Sequence, residues 1–149
     1  MNIIKLRTDN NRLLGYVSRV EKTFVDTLGQ DCIITPSIFR SWDKYDGLDT
    51  FLLVDKGNII STATIFNDNG CFEISTIYTE PEFRNKGLTK KFLSSLFEKL
   101  ELRNLKSNIA ENNKSSLGLF ISLGFKFSGE RSNYSNGVIG LGLTKNDLK

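Results

Sequence analysis

Apolar positions along this chain alternate between two periods. Residues 2–6 form a short run rich in β-branched side chains and read as an opening strand. From Leu13 the spacing changes. Leu13, Leu14, Val17, Val20, Phe24, Val25 and Leu28 recur every three or four residues, which marks one buried helical face. Asp9 or Asn10 can cap that helix, and Gly29 ends it. Pro36 opens a second, short helix carrying Ile38, Phe39 and Trp42. Residues 51–54, 59–66 and 71–79 then read as three strands, separated by Lys56-Gly57-Asn58 and by Asn67-Asp68-Asn69-Gly70. This middle third is an antiparallel meander.

The period lengthens again after Gly87. Leu88, Phe92, Leu93, Leu96, Phe97 and Leu100 share one broad face, while Lys90, Lys91, Glu98, Lys99 and Glu101 lie elsewhere, so this helix rests on a sheet. Residues 105–110 form a strand parallel to its predecessor, reached through the helical crossover. Asn113 caps a shorter helix with Leu117, Leu119, Phe120 and Leu123, which Gly124 stops. Residues 125–131 and 138–144 close the chain as a hairpin across Ser135-Asn136-Gly137. The pattern predicts one α/β (α+β) domain over residues 1–149. Its mixed, mostly antiparallel sheet has six to seven strands and about four flanking helices. Gly140-Leu141-Gly142 is a glycine pair with no helix after it, and the sequence alone assigns it no function.

Composition narrows the chemistry. Of 149 residues, 39% are apolar and 25% charged, as in ordinary globular proteins. The net charge of +3 is spread among acids, which argues against a nucleic-acid partner. The chain contains no histidine, so a His-based zinc site and a His-dependent triad are excluded, and no metal is expected. Proton transfer must come from carboxylates, Tyr, Lys, Cys or water. Cys32 and Cys71 lack C-x-x-C spacing. Residues 1–7 lack the apolar core of a secretory signal, and no run approaches membrane-spanning length. A cytoplasmic location, reduced cysteines and no membrane partner are the expectation.

The segment that concentrates chemistry is residues 77–91. A strand ends at Glu80-Pro81, a basic turn follows, and Gly87 admits close backbone approach before a helix begins. The first N–H groups of a helix attract anions, and Arg84, Lys86, Lys90 and Lys91 add positive charge there. The segment suits a phosphate-bearing ligand; a plain strand–loop–helix joint with a solvated basic turn is the alternative.

Two separated motifs make the last two-thirds of the chain resemble the GNAT superfamily of acyl-CoA-dependent N-acyltransferases. The first is Arg84-Asn85-Lys86-Gly87-Leu88-Thr89, preceded by Glu80-Pro81-Glu82-Phe83. It matches the family's Arg/Gln-x-x-Gly-x-Gly/Ala loop. The second is Asn113, Ser116, Leu119-Phe120 and Gly124-Phe125, at the family's Asn-x-x-Ala-x-x-Leu-Tyr-x-x-x-Gly-Phe spacing. The resemblance implies a GNAT fold with a parallel strand pair splayed at the acyl-CoA site. It implies acetyl-CoA as co-substrate and a small-molecule or peptide amine as acceptor, with a homodimer possible. Backbone groups of Ile77, Tyr78 and Thr79 would hold the pantetheine arm, and the N–H groups of Arg84, Asn85, Lys86, Gly87, Leu88 and Thr89 the pyrophosphate. Asn113, Ser116 and Phe120 would line the other side of the arm.

Two positions depart from the pattern. Thr89 replaces Gly or Ala, and its hydroxyl would be available to a phosphate oxygen. Phe120 stands where many members carry a Tyr that protonates the departing thiolate, and a phenyl ring donates nothing. A non-catalytic CoA-binding module is therefore the alternative to an N-acetyltransferase working by direct attack in a ternary complex.

Acylation of an ammonium needs a base. Glu73, eleven residues before Arg84, matches the place of the glutamate base in histone-type members, and partial burial would raise its pKa. An outward-facing sheet carboxylate is the competing reading. Glu80 is the second candidate base, and Tyr134 is a candidate for the missing acid. Ser75 and Thr76 are placed to hold a water, and the N–H near Tyr78 or Thr79 would meet the oxyanion. For the acceptor, Trp42, Asp43, Tyr45 and Asp46, with Asp49, suit a cationic amine, or else form a solvated loop.

Overall fold

The computed structural model describes residues 1–6, 15–16, 19–20, 48–134 and 137–146. Among the described residues seven strands form one sheet: β1 (Asn2–Lys5), β2 (Leu48–Asp55), β3 (Asn58–Asp68), β4 (Cys71–Thr79), β5 (Leu105–Ala110), β6 (Lys126–Asn133) and β7 (Ile139–Lys145). Two α-helices are described, α1 (Leu88–Lys99) and α2 (Lys114–Ser122), and a 3₁₀ turn covers Pro81–Phe83. Backbone at 15–16 and 19–20 is helical, and Tyr16 and Val20 are buried. The rest of the first expected helix, the second helix, Cys32 and the loop bearing Trp42, Asp43, Tyr45 and Asp46 lie outside the described residues.

The strand order is β1-β2-β3-β4-β5-β7-β6. Pairing is antiparallel throughout except between β4 and β5. β7 inserts between β5 and β6, an order that strand patterns alone do not specify. β2 and β3 run longer than their apolar runs suggested. Asp49, expected in the acceptor loop, is instead a β2 residue ion-paired to Lys5 at 3.0 Å.

One face of the sheet carries the main core. Phe51, Leu53, Ala63, Ile65, Ile74, Leu105, Ile109 and Leu143 pack there with Phe92, Leu93, Leu96 and Phe97 of α1 and with Phe120 and Leu123 of α2. Alternation along each strand sends the intervening residues to the opposite face. On β4 the alternation breaks once. Thr62 pairs with Tyr78 and Thr64 with Ser75, so β4 carries an extra residue between them. Before this bulge Phe72 and Ile74 face the core; after it, Ile77 and Thr79 do.

β4 and β5 are hydrogen-bonded partners only from Phe72–Ile74 to Leu105–Ser107. Beyond that point β4 runs on to Thr79, while β5 stays with β7 to Ala110. The buried Ser107 hydroxyl donates to the Ile74 carbonyl at 2.8 Å, at the last rung before the strands part. Removing that donor leaves a carbonyl facing an apolar interior. Ser107→Ala is expected to lower unfolding free energy by about 1–3 kcal/mol in urea titrations.

Candidate functional site

Two clefts flank the parting strands. The larger, about 700 Å³, is lined by Ile77, Tyr78, Thr79, Arg84, Asn85, Gly87, Leu88 and Thr89 from the β4 side, and by Asn113, Ser116 and Leu119 from the α2 side. Every residue of the expected coenzyme loop except Lys86 therefore borders one space. Lys86 stands apart, its Nζ 5.7 Å over the Phe83 ring.

The turn into α1 is built from left-handed residues. Asn85 has φ 61° and Gly87 φ 73°. No atom stands within 4 Å of where a Gly87 Cβ would be, so glycine is favoured there by conformation alone. No side chain caps α1. Its first intrahelical bond runs from the Lys91 N–H to the Gly87 carbonyl, which leaves the amides of Leu88, Thr89 and Lys90 without intrahelical acceptors. Leu88, Thr89 and Lys90 all border the cleft, which pairs it with the positive end of the helix. Arg84 folds back along the strand. Its Nε donates to the Thr79 carbonyl at 2.7 Å, and its guanidinium lies 5.2 Å from the Tyr78 ring centre.

A chain of hydroxyls ties this helix to the sheet, and its direction can be worked out. Ser61 Oγ donates to the Tyr78 carbonyl at 2.8 Å, so toward Thr79 Oγ1, 2.9 Å away, it must accept. Thr79 thus spends its proton on Ser61, and Thr89 must donate to Thr79. The Thr89 hydroxyl, expected to donate to a phosphate, is committed inward; outward it can only accept. Its branched side chain fastens the first turn of α1 to the end of β4. Thr89→Val is expected to cost about 1 kcal/mol of stability in denaturant titrations, and Thr89→Ser to restore it.

On the α2 side, Asn113 Oδ1 accepts from the Ser116 N–H at 3.2 Å and caps the helix. Phe120 is placed differently from the expectation. Its ring is 1% exposed, packs edge-on against Phe125 with centres 4.8 Å apart, and does not border the cleft; Leu119 does. The helical repeat puts Phe120 on the same buried face as Leu123, so the position serves the core.

The second cleft, about 310 Å³, is lined by Glu73, Ile74, Ser75, Asn108, Ser132, Asn133 and Tyr134. Glu73 and Ser75 lie on the sheet face away from the core. Two candidates sixty-one residues apart in sequence, Glu73 and Tyr134, thereby face one space. Glu73 is half-buried, and its register partner Lys106 reaches away to Asp68 at 2.9 Å. The Asp68 carboxylate, by hydrogen bond and charge, raises the Lys106 pKa. Asn112 and Ser115 in the first cleft, and Asn108, Ser132 and Asn133 in the second, were not singled out from sequence. Asn108 alternates with core residues Ser107 and Ile109, and that alternation is the signal that it faces the opposite side.

Glu80 lies outside both clefts. It faces Tyr16, whose buried hydroxyl makes no well-formed hydrogen bond among the described residues. Burial, reinforced by the Glu80 charge, holds the Tyr16 proton on far more tightly than in a free phenol. The folded state therefore keeps a proton that the unfolded chain releases near pH 10, so stability is full below that pH and falls as pH rises above it. Lys106, also raised, loses its contribution in the same alkaline range. Tyr16→Phe is expected to flatten part of the fall between about pH 10 and 11 in denaturation curves.

The acetyltransferase (GNAT) family model matches residues 18–125. The chain belongs to this family. It is thus an acyltransferase, and acetyl transfer is the family's activity. Solved structures agree in fold. A ribosomal-protein-alanine N-acetyltransferase from Brucella melitensis superposes with a TM-score of 0.78 at 16% identity, covering 99% of this chain and 100% of that one. The ribosomal-protein-S18-alanine N-acetyltransferase of Escherichia coli gives 0.74 at 18% identity, with 99% and 95% covered. The yncA structure from Salmonella typhimurium, which holds its cofactor acetyl-CoA, gives 0.75 at 17% identity, with 100% and 95% covered. No curated protein matches in sequence. Among the described residues no helix is long and apolar enough to cross a membrane.

Proposed function

We propose that this chain transfers the acetyl group of acetyl-CoA to a primary amine by direct attack in a ternary complex, in the cytoplasm. The observation that carries the reading is the parting of β4 from β5 after Ile74 and Ser107, with a cleft on each side of the fork. The larger cleft fits the coenzyme. Uncapped helix amides and Arg84 suit its phosphates, and the end of β4, past its last rung with β5, borders the cleft and offers backbone groups to its amide-bearing arm. Acetyl-CoA supplies an acetyl group activated as a thioester.

The chain's own groups do the rest. Glu73 takes the proton from the acceptor's ammonium, directly or through a water held at Ser75, and so frees the nitrogen lone pair. The backbone N–H near Tyr78 or Thr79 meets the acetyl oxygen as negative charge gathers on it. Tyr134 takes the role for which Phe120 has no proton, and protonates the leaving thiolate from across the second cleft. Glu80, engaged with Tyr16, supports this arrangement from the end of β4. Trp42, Asp43, Tyr45 and Asp46 bind the cationic acceptor by charge and ring-face contact.

One observation favours a second reading. Phe120 is buried and carries no hydroxyl, as a coenzyme-binding module without turnover would allow. A thiol-release assay with acetyl-CoA over a panel of amines separates the two. Turnover is expected with at least one amine class, and Glu73→Gln is expected to lower kcat by about 10²–10⁴-fold with little change in coenzyme affinity. Tight CoA binding with background thiol release throughout, unaffected by Glu73→Gln, would establish the binding module instead.

A further inference from the structure

The pocket facing Glu73 contains an arrangement that the proposed mechanism has not used. Asn108 sits on β5 and Ser132 on β6, with β7 lying between them. Two strand spacings separate such residues, about 10 Å. Even so, Asn108 Nδ2 donates to Ser132 Oγ at 2.8 Å, reaching over the intervening strand. It can do so because β7 presents Gly140 there. A Cβ at residue 140 would stand 2.7 Å from Asn108 Nδ2 and 2.8 Å from Ser132 Oγ, closer than real Cβ contacts allow. Gly140 is half of the glycine pair that the sequence alone left without a role.

The second proton of the same amide is also committed. Asn108 Nδ2 donates to the Tyr134 hydroxyl oxygen at 3.3 Å, and that hydroxyl in turn donates to the Asn108 backbone carbonyl at 3.3 Å. Asn108 therefore grips the phenol oxygen from both sides, with its amide as donor and its carbonyl as acceptor. An amide N–H aimed at a phenol oxygen stabilises that oxygen more when it is negatively charged than when it is neutral.

We propose that Asn108 is the positioning residue of the general acid: laid across Gly140, it holds the Tyr134 hydroxyl on the wall of the pocket that Glu73 faces. This rests on Tyr134 being the acid. In the step itself the Tyr134 hydroxyl rotates its proton away from the Asn108 carbonyl, the O–H bond breaks and an S–H bond forms on the departing thiolate. The Asn108 amide N–H remains on the phenolate oxygen, and the phenolate recovers a proton from water as products leave. Asn108 touches neither reacting centre and acts through Tyr134 alone.

The full-length chain, assayed by thiol release with an amine that supports turnover, tests this through a double-mutant cycle. Tyr134→Phe is expected to lower kcat about a hundredfold. Asn108→Ala is expected to lower kcat about tenfold, the worth of one hydrogen bond to a group becoming charged, with KM for acetyl-CoA changed less than twofold. The double variant should be no slower than Tyr134→Phe alone. A merely structural Asn108 would instead slow the double variant by the product of the single effects, or move both kinetic constants. The side-chain amide resonance of Asn108 should shift in Tyr134→Phe, which checks the contact without turnover. A parent-like rate in Tyr134→Phe removes the acid reading and this proposal with it. A slow Tyr134→Phe beside a parent-like Asn108→Ala overturns the proposal alone.

Discussion

Both clefts of this molecule depend on where one hydrogen-bonded ladder stops. β4 and β5 are parallel partners for three rungs, and then the Ser107 hydroxyl occupies the Ile74 carbonyl and the strands diverge. A sheet that continued to pair would bury these backbone groups in itself. A sheet that parts leaves the far end of β4 held by β3 on one edge and past its last rung with β5 on the other. The bulge opposite Ala63 reinforces this, because it turns Ile77 and Thr79 toward the core-side helices just past the fork. A broken ladder and a reset alternation thus make a slot with a different chemistry on each side.

The two sides are built by different means. On the core side, the space is framed by helix termini. The start of α1 brings amides, and Asn113 at the start of α2 spends its own side chain on capping. Rigidity there comes from the directed chain Thr89 to Thr79 to Ser61 to the Tyr78 carbonyl, which fastens a helix to two strands without a single charge. On the other side the framing is by side chains on the sheet face away from the core, Glu73, Ser75 and Asn108, and by Tyr134 just past β6, with no helix terminus among the described lining residues.

The sequence made the elements legible wherever local periodicity governed. β4 and β5 were read with the bounds that the structure has, and so was the Asn113 cap. The residues of the expected coenzyme loop, Lys86 apart, converge on one cleft. Order within the sheet was not legible: whether β7 or β6 lies beside β5 depends on long-range packing, and the fork follows from three rungs that no local pattern encodes. Phe120 shows the limit from the other direction. Its motif position matched the family's tyrosine, but its helical phase with Leu123 placed it in the core. Thr89 differed from expectation because a hydroxyl's donor is decided by its neighbours, and Ser61 and Thr79 are far away in sequence. Asn108 and Tyr134 meet only because three strands lie in the order β5-β7-β6.

The glycines of β7 separate two kinds of constraint. At residues 140 and 142 the strand shows its opposite face no side chain, and the side chains of Asn108 and Ser132 close over Gly140 while Ser128 and Glu130 crowd Gly142; Leu141 and Leu143 on the same strand serve the core cluster and its edge. The pocket's polar walls are set by β4, β5 and the end of β6, and apart from the core residue Ile74 the residues that line it, Glu73, Ser75, Asn108, Ser132, Asn133 and Tyr134, lie outside the core cluster. Substitutions at those walls can reshape what the pocket admits while the packing beneath stays intact. A pocket built this way can change its lining without first weakening the core.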